Sequence, residues 1–302
     1  ATVSEVTAAM SGVYRTFASP FNLGAVYRVF ELPADLLVVH GKIQGWWETP
    51  NIQQLNDHSF DPGHRWVNIA WNQLFNIVGQ CNAVIPSFEA SPLDLSGPIA
   101  EMRALRAIAY WYLMDGFGDV PVFTGALVDP NNLQTQTPRA EVINFIVSEL
   151  EAAAVDLPSK SETPAIYYGR VTKEAAYGVL ASIYLNGEVY SGTASYDKAI
   201  EFADLVINSG NYSLLPNYHD NFTFNNDNND EILFGAVMTP DVPGGLGQEF
   251  VIKANFGIVG LFGLPTTPQN GFAARPALYD LYDEGDDRKS SFFYYVYLID
   301  LA

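Results

Sequence analysis

Between residues 40 and 58 the chain gathers His40, Lys42, Gln44, Trp46, Trp47, Asn51, Gln53, Gln54 and Asn56. The chemistry such a set can do is non-covalent. A flat ring stacks on the apolar face of a pyranose, and amide or cationic groups bond the hydroxyls around its rim. His40, Lys42, Trp46, Trp47, Asn51, Gln54 and Asn56 are therefore candidate ligand-binding residues. Adjacent tryptophans in a polar loop do not both pack easily into one core site, so at least one is expected to be accessible. The competing reading is that one of them plugs the structure beneath. Trp66 and Trp71 fall in a helical pattern and are expected in the core.

Covalent chemistry finds little support. The sequence holds no Gly-x-Ser-x-Gly elbow and no His-Glu-x-x-His. Its four histidines, His40, His58, His64 and His219, lack the spacing of metal ligands on a helix face. The stretch from Asn225 to Glu231 is rich in the oxygen ligands that calcium favours. It has neither the twelve-residue spacing nor the central glycine of an EF-hand, and reads as a solvated loop. No catalytic residue, metal or cofactor is expected.

With 34 acidic and 15 basic residues among 302, the net charge is −19. That excludes the positive footprint that nucleic acid requires, and docking on anionic lipid through protein charge. Hydrophobic residues make up 48% and aromatics 14%, enough for a core with rings to spare for a surface. Cys81 is the only cysteine, so no intrachain disulfide forms. It sits in the helical pattern Ile77, Val78, Cys81, Val84, Ile85 as a small buried hydrophobe. No stretch offers the roughly twenty apolar residues of a membrane helix. Ala1 opens the chain without a basic-then-apolar leader, which reads as a mature or trimmed start.

The elements that must carry these groups are mainly helical. The spacing predicts helices over 3–17, 64–85, 96–115, 138–157, 173–186 and 195–207, with a short one over 218–224. Gly116 and Gly118 are expected to end the third of these and Pro158 the fourth. Thr137 and Thr172 are the expected caps of the helices that follow them. Residues 41–62 read as a long loop and Glu231–Val237 as a strand. Residues 64–224 thus read as a scaffold of successive helix pairs of tetratricopeptide type, each leaving an apolar face that its neighbour buries. The Gly- and Pro-rich stretch 242–270, with scattered aromatics, reads as irregular.

Several blocks, in order, resemble the SusD/RagB family. Glu101 to Phe123 joins a helix rich in Arg, Ala and aromatics to Gly116-Phe-Gly-Asp-Val-Pro121. Trp71 to Asn82 resembles the family's W-x-x-x-Y/F-x-x-I-x-x-x-N helix. Pro138-Arg139 through Leu157-Pro158, Gly169-Arg-Val-Thr-Lys-Glu-Ala-Ala176, Tyr196-Asp-Lys-Ala199 with Ser209 to Leu214, Glu231-Ile232 and Asp286-Asp-Arg288 complete the series. The resemblance covers essentially the whole chain, residues 1–302, as one SusD-like domain. Family members usually continue past the last block, whereas this chain stops on the apolar run Tyr294 to Ile299, so a C-terminal part is expected to be missing.

The resemblance implies a mainly α SusD-like fold with helix pairs of tetratricopeptide type, long ligand-binding loops and few short strands. It implies a non-catalytic outer-membrane lipoprotein on the extracellular face, which captures an oligosaccharide or polysaccharide and passes it to a SusC-like TonB-dependent transporter. The lipid-bearing cysteine of the family is absent from this chain, so the anchor would have been removed. The early loop would supply part of a sugar platform, and a later loop with Phe250, Asn255, Phe256 and Phe262 a second part. Arg170 would be structural, tying its loop to carboxylates or carbonyls. The alternative function is a helical scaffold that binds protein or peptide.

Overall fold

A computed structural model describes residues 2–21, 25–39, 50–126, 131, 134–223, 226–227, 229–237 and 272–289. The chain divides into two compact units. The first comprises Ala1–Pro20, Trp71–Leu214 and Asp230–Val237; the second comprises Phe21–Ala70, Leu215–Asn229 and Met238–Ala302.

The first unit is helical. α1 (Val3–Ala18) starts in a capping box, in which Thr2 and Glu5 satisfy each other's backbone amides. α4 (Arg65–Glu89, in this unit from Trp71 on), α5 (Ser96–Phe117), α6 (Arg139–Asp156), α7 (Lys173–Leu185), α8 (Gly187–Ser191) and α9 (Tyr196–Asn208) follow. α1 packs on α5, α5 on α6, α6 on α7 and α7 on α9, as a scaffold of successive helices requires. α5 is the central element. Ala100, Ala104, Leu105, Ala107, Ile108, Ala109, Tyr110 and Leu113 are all buried, so its apolar surface extends well beyond one stripe. Gly118 closes α5 at a φ of 74°, the left-handed region that favours glycine. Gly116, expected to end it, lies inside the last turn.

Polar residues lock this array. Glu149 on α6 accepts from Arg103 (2.8 Å) and Arg106 on α5, and Arg106 also donates to Asn82 Oδ1 on α4 at 2.7 Å. Arg106, Glu149 and Asn82 are all buried, so each charge is matched where water cannot reach it. Asn82 Nδ2 continues the chain of bonds to the Phe123 carbonyl at 3.0 Å. Cys81 is buried, and burial pushes its thiol up to about 12.

Several expectations are corrected. Thr137 does not cap α6; it forms an isolated bridge with Val120, and Pro138 takes the N-cap position without a side-chain bond. Thr172 caps α7 as expected, accepting from Ala175 N. Residues 231–237 do not form a strand. The segment lies against helices, with Phe234 on Phe17 (5.5 Å between ring centroids) and Leu233 over Gly178, so no edge is there for it to pair with. The short helix near 218 is a 3₁₀ turn, Tyr218–Phe222. α4 runs through Pro86 to Glu89, beyond the expected end.

In the second unit, α2 (Ala25–Glu31) leads to β1 (Leu37–Val39), and α3 (Asn51–Asn56) falls inside the stretch expected to be loop. α3 is amphipathic over a single turn, with Ile52 and Leu55 at 1% and 0% exposure. β1 pairs antiparallel with β2 (Phe272–Ala274), which α10 (Pro276–Asp280) follows.

Candidate functional site

The sequence places its ligand-type side chains in two stretches, one before α3 and one before β2. His40, Lys42, Trp46, Trp47 and Phe256 lie outside the described residues, as do Phe250, Asn255 and Phe262. Asn51, Gln54 and Asn56 are described, and all three lie half-buried on α3.

Around α3 the backbone is held by side chains. Asn56 Nδ2 donates to the carbonyls of Leu32 (2.9 Å) and Leu37 (3.1 Å). His58, at a φ of 55°, donates from Nε2 to the Pro33 carbonyl at 2.7 Å. His64, 4% exposed, donates from Nε2 to the Asn51 carbonyl at 2.8 Å. A carbonyl only accepts, which assigns the Nε2–H tautomer to both rings. His58 and His64 each grip one backbone oxygen.

The ribbon is gripped as well. Arg275 donates from its amide to Leu36 O (3.0 Å) and from Nε to Leu37 O (3.1 Å). Arg275 carried no sequence signal, because its partner is at the other end of the chain. Register pairs Leu37 with Ala274, Val38 with Ala273 and Val39 with Phe272. Val39 is the last residue before segment 40–49, and Phe272 closes the stretch that holds Phe256. The two aromatic segments therefore leave and enter the described fold at one end of one ribbon.

Other chemistry-bearing groups of the motifs are committed to the first unit. Glu101, 2% exposed, accepts from Arg170 Nε at 2.8 Å, from Arg170 Nη2 and from the Tyr14 hydroxyl. Tyr14 in turn receives the Val171 amide at 3.0 Å. Burial, with the Glu101 carboxylate beside it, pushes the Tyr14 phenol well above its ordinary range. Tyr190 accepts from Trp111 Nε1 and donates to Asp115 at 2.8 Å, and burial raises it to about 12. Trp71 is half-buried between Phe75 and Phe117, whereas Trp66 lies in the second unit, buried with the guanidinium carbon of Arg28 at 3.9 Å from its ring centroid. Among the described residues no three His, Cys, Asp or Glu side chains come together as a metal-binding set. No described helix is long and apolar enough to cross a membrane.

Residues 12–185 match the SusD-like family described as "Starch-binding associating with outer membrane". The chain belongs to the SusD-like family. It is 31% identical over 248 residues to the starch-binding protein SusD of Bacteroides thetaiotaomicron, an alignment covering 82% of this chain and 40% of that relative. A laminarin-binding SusD-like protein superposes with a TM-score of 0.78 at 22% identity, over 96% of this chain and 66% of the other. Surface glycan-binding protein A of Bacteroides thetaiotaomicron, solved with laminarihexaose, superposes at 0.75 and 20% identity, over 96% and 63%. Those two likenesses establish the SusD-like fold. The chain spans less than half the length of the curated relative.

The SusD-like motifs acquire physical meanings here. Asn82, Arg106 and Glu149 come from three separate blocks and meet in one buried network. Arg170 joins a fourth block to Glu101, which shares its block with Arg106. These signature residues build the scaffold, and the candidate binding groups sit elsewhere, in the second unit.

Proposed function

We propose that this chain belongs to a non-catalytic, cell-surface glycan-binding protein that captures an oligosaccharide and passes it to a TonB-dependent outer-membrane transporter. The observation that carries the reading is the pairing of Val39 with Phe272. It sets the residue before His40 opposite the residue that ends the stretch after Phe256, which supports the reading that both segments serve one ligand. Family membership supports a sugar as that ligand. Asn51 and Gln54, half-buried on α3, stand next to the first segment and are proposed to supply amide contacts.

The transporter step rests on membership of a family described as associating with the outer membrane. Hand-off would use opening and closing of this protein over the barrel, a hinge motion of one body against another. A stable contact should bury more than about 1,000 Å². The protein would stand on the extracellular face of the outer membrane through a lipid anchor.

A glycan panel of starch oligosaccharides and laminarihexaose, read by calorimetry, tests capture. Saturable binding of at least one member without product release is the expected result. Binding of peptides in place of glycans would move the chain to the adaptor class, and release of shorter sugars would make it a hydrolase. Purification of the native protein from its own membrane in mild detergent tests the partner. Recovery without any barrel, across several detergents and growth glycans, would count against hand-off.

A further inference from the structure

The carbonyl of Leu37 is a meeting point. Asn56 Nδ2 reaches it from α3 and Arg275 Nε from the residue after β2, both at 3.1 Å. A carbonyl oxygen has two lone pairs, so two side-chain donors fill it. Asn56 also holds Leu32 O, and the Arg275 amide holds Leu36 O, so both residues clamp the approach to β1. The ribbon they clamp is three residues long on each side. A two-stranded ribbon of that length is marginal by itself in water. A slip of one residue would also turn every side chain to the opposite face.

We infer that Asn56 and Arg275 are positioning residues for ligand binding. Acting together through the Leu37 carbonyl, they hold the register that sets Val39 against Phe272 and so fixes the point from which both aromatic segments depart. Asn56, a candidate ligand contact by sequence, is thereby reassigned to a role behind the site. The inference rests on the glycan-binding reading above. Its chemistry is a shared acceptor: removing either donor leaves the Leu37 carbonyl one side-chain bond, and removing both leaves it none of the two.

The test uses Asn56→Ala, Asn56→Asp, Arg275→Ala and the double variant Asn56→Ala/Arg275→Ala in the full chain. Affinity for starch oligosaccharides and laminarihexaose is measured beside amide hydrogen exchange at Val38, Val39 and Ala273. Each single variant is expected to weaken binding about 2- to 10-fold, the weight of one intramolecular hydrogen bond. The double variant should lose at least as much as the two single variants together, and the ribbon amides should exchange faster. Asn56→Asp should fare no better than Asn56→Ala, since a carboxylate cannot donate. Weaker binding with unchanged exchange would show Asn56 touching ligand and overturn the inference. Faster exchange at unchanged affinity would reduce the pair to structure alone and overturn it too. If the wild-type chain binds none of the probes, the glycan reading falls by itself. The exchange arm still decides the clamp, because unchanged ribbon exchange in both single variants sinks it whatever the ligand.

Discussion

Val39 and Phe272 face each other across an antiparallel pair, though they belong to opposite ends of the chain. This pairing turns two separate aromatic stretches into neighbours at their roots. It also sets the order of importance for mutagenesis: side chains on the segments for affinity, and donors at the ribbon for geometry.

Replacing Trp46 and Trp47 together by Ala should weaken glycan binding and leave thermal unfolding unchanged. Loss of one stacked ring should cost about 1–3 kcal/mol, by analogy with aromatic stacking on bases. Calorimetry beside a melting curve checks it. Normal binding by the double variant, or a collapse in stability, would move the platform elsewhere.

Arg170→Ala should lower stability without altering affinity in the protein that remains folded. Glu101 is buried, and of the bonds described above only that from the Tyr14 hydroxyl would remain. Removing one partner of a buried pair costs about 3–5 kcal/mol, and the lower end is expected because Arg170 is partly exposed. Arg170→Lys should rescue only in part, since an ammonium does not reproduce the two-pronged contact. Denaturant unfolding with parallel titration of glycan separates the effects; a selective loss of affinity would place Arg170 in the binding site.

Gly169 and Gly178 should respond differently to Ala. At Gly169, φ is +83° and a Cβ would overlap Val237 Cγ2, a stiff branched side chain. Left-handed backbone costs about 1–2 kcal/mol for a residue with a Cβ, before overpacking adds about 1–3 kcal/mol. At Gly178 the Cβ would meet only the tip of Leu233, at 2.6 Å. The gain of about 1 kcal/mol in helix propensity offsets much of that contact. Urea midpoints should therefore fall sharply for Gly169→Ala and little for Gly178→Ala. Equal shifts would refute the docking of residues 233–237 described above.

Acid should loosen the start of α7. Burial opposes ionisation of Glu174, yet bonds from Ser159 Oγ, Asn211 Nδ2 (2.8 Å) and the Lys160 amide (3.1 Å) outweigh it and hold the carboxyl below its ordinary 4.5. A carboxyl lowered in the native state contributes stability that is present above its unfolded value and lost as pH falls through its native value. Melting temperature should thus drop as pH falls from about 4.5 downward. Glu174→Gln should melt lower at pH 7, because its amide sets donor against donor, and should show a shallower acid slope. Identical slopes in the two proteins would exclude Glu174 as a source of acid lability.

The helices of the first unit were legible because their signals are local. The spacing of Val6, Met10, Val13 and Phe17, the Thr172 cap and the glycine that closes α5 each act within a few turns, where backbone geometry and side-chain period are settled by near neighbours. The tie of Arg170 to a carboxylate could be read from its type and setting. The family, too, was written in motif order. What the sequence did not disclose is which oxygen each donor would find. Nothing near Arg275 points to Leu37, and nothing near Asn82 points to Phe123. The strand expected over 231–237 failed for the same reason: alternation signals extended backbone, but a strand needs a partner edge, and there the chain met helices instead. Asn56 reads as a ligand-type amide by sequence, and its bonds to the Leu32 and Leu37 carbonyls exist only once the fold brings those oxygens to it. Periodicity and caps are properties of a segment, whereas register and shared acceptors are properties of two segments meeting, and only the tertiary structure decides which segments meet.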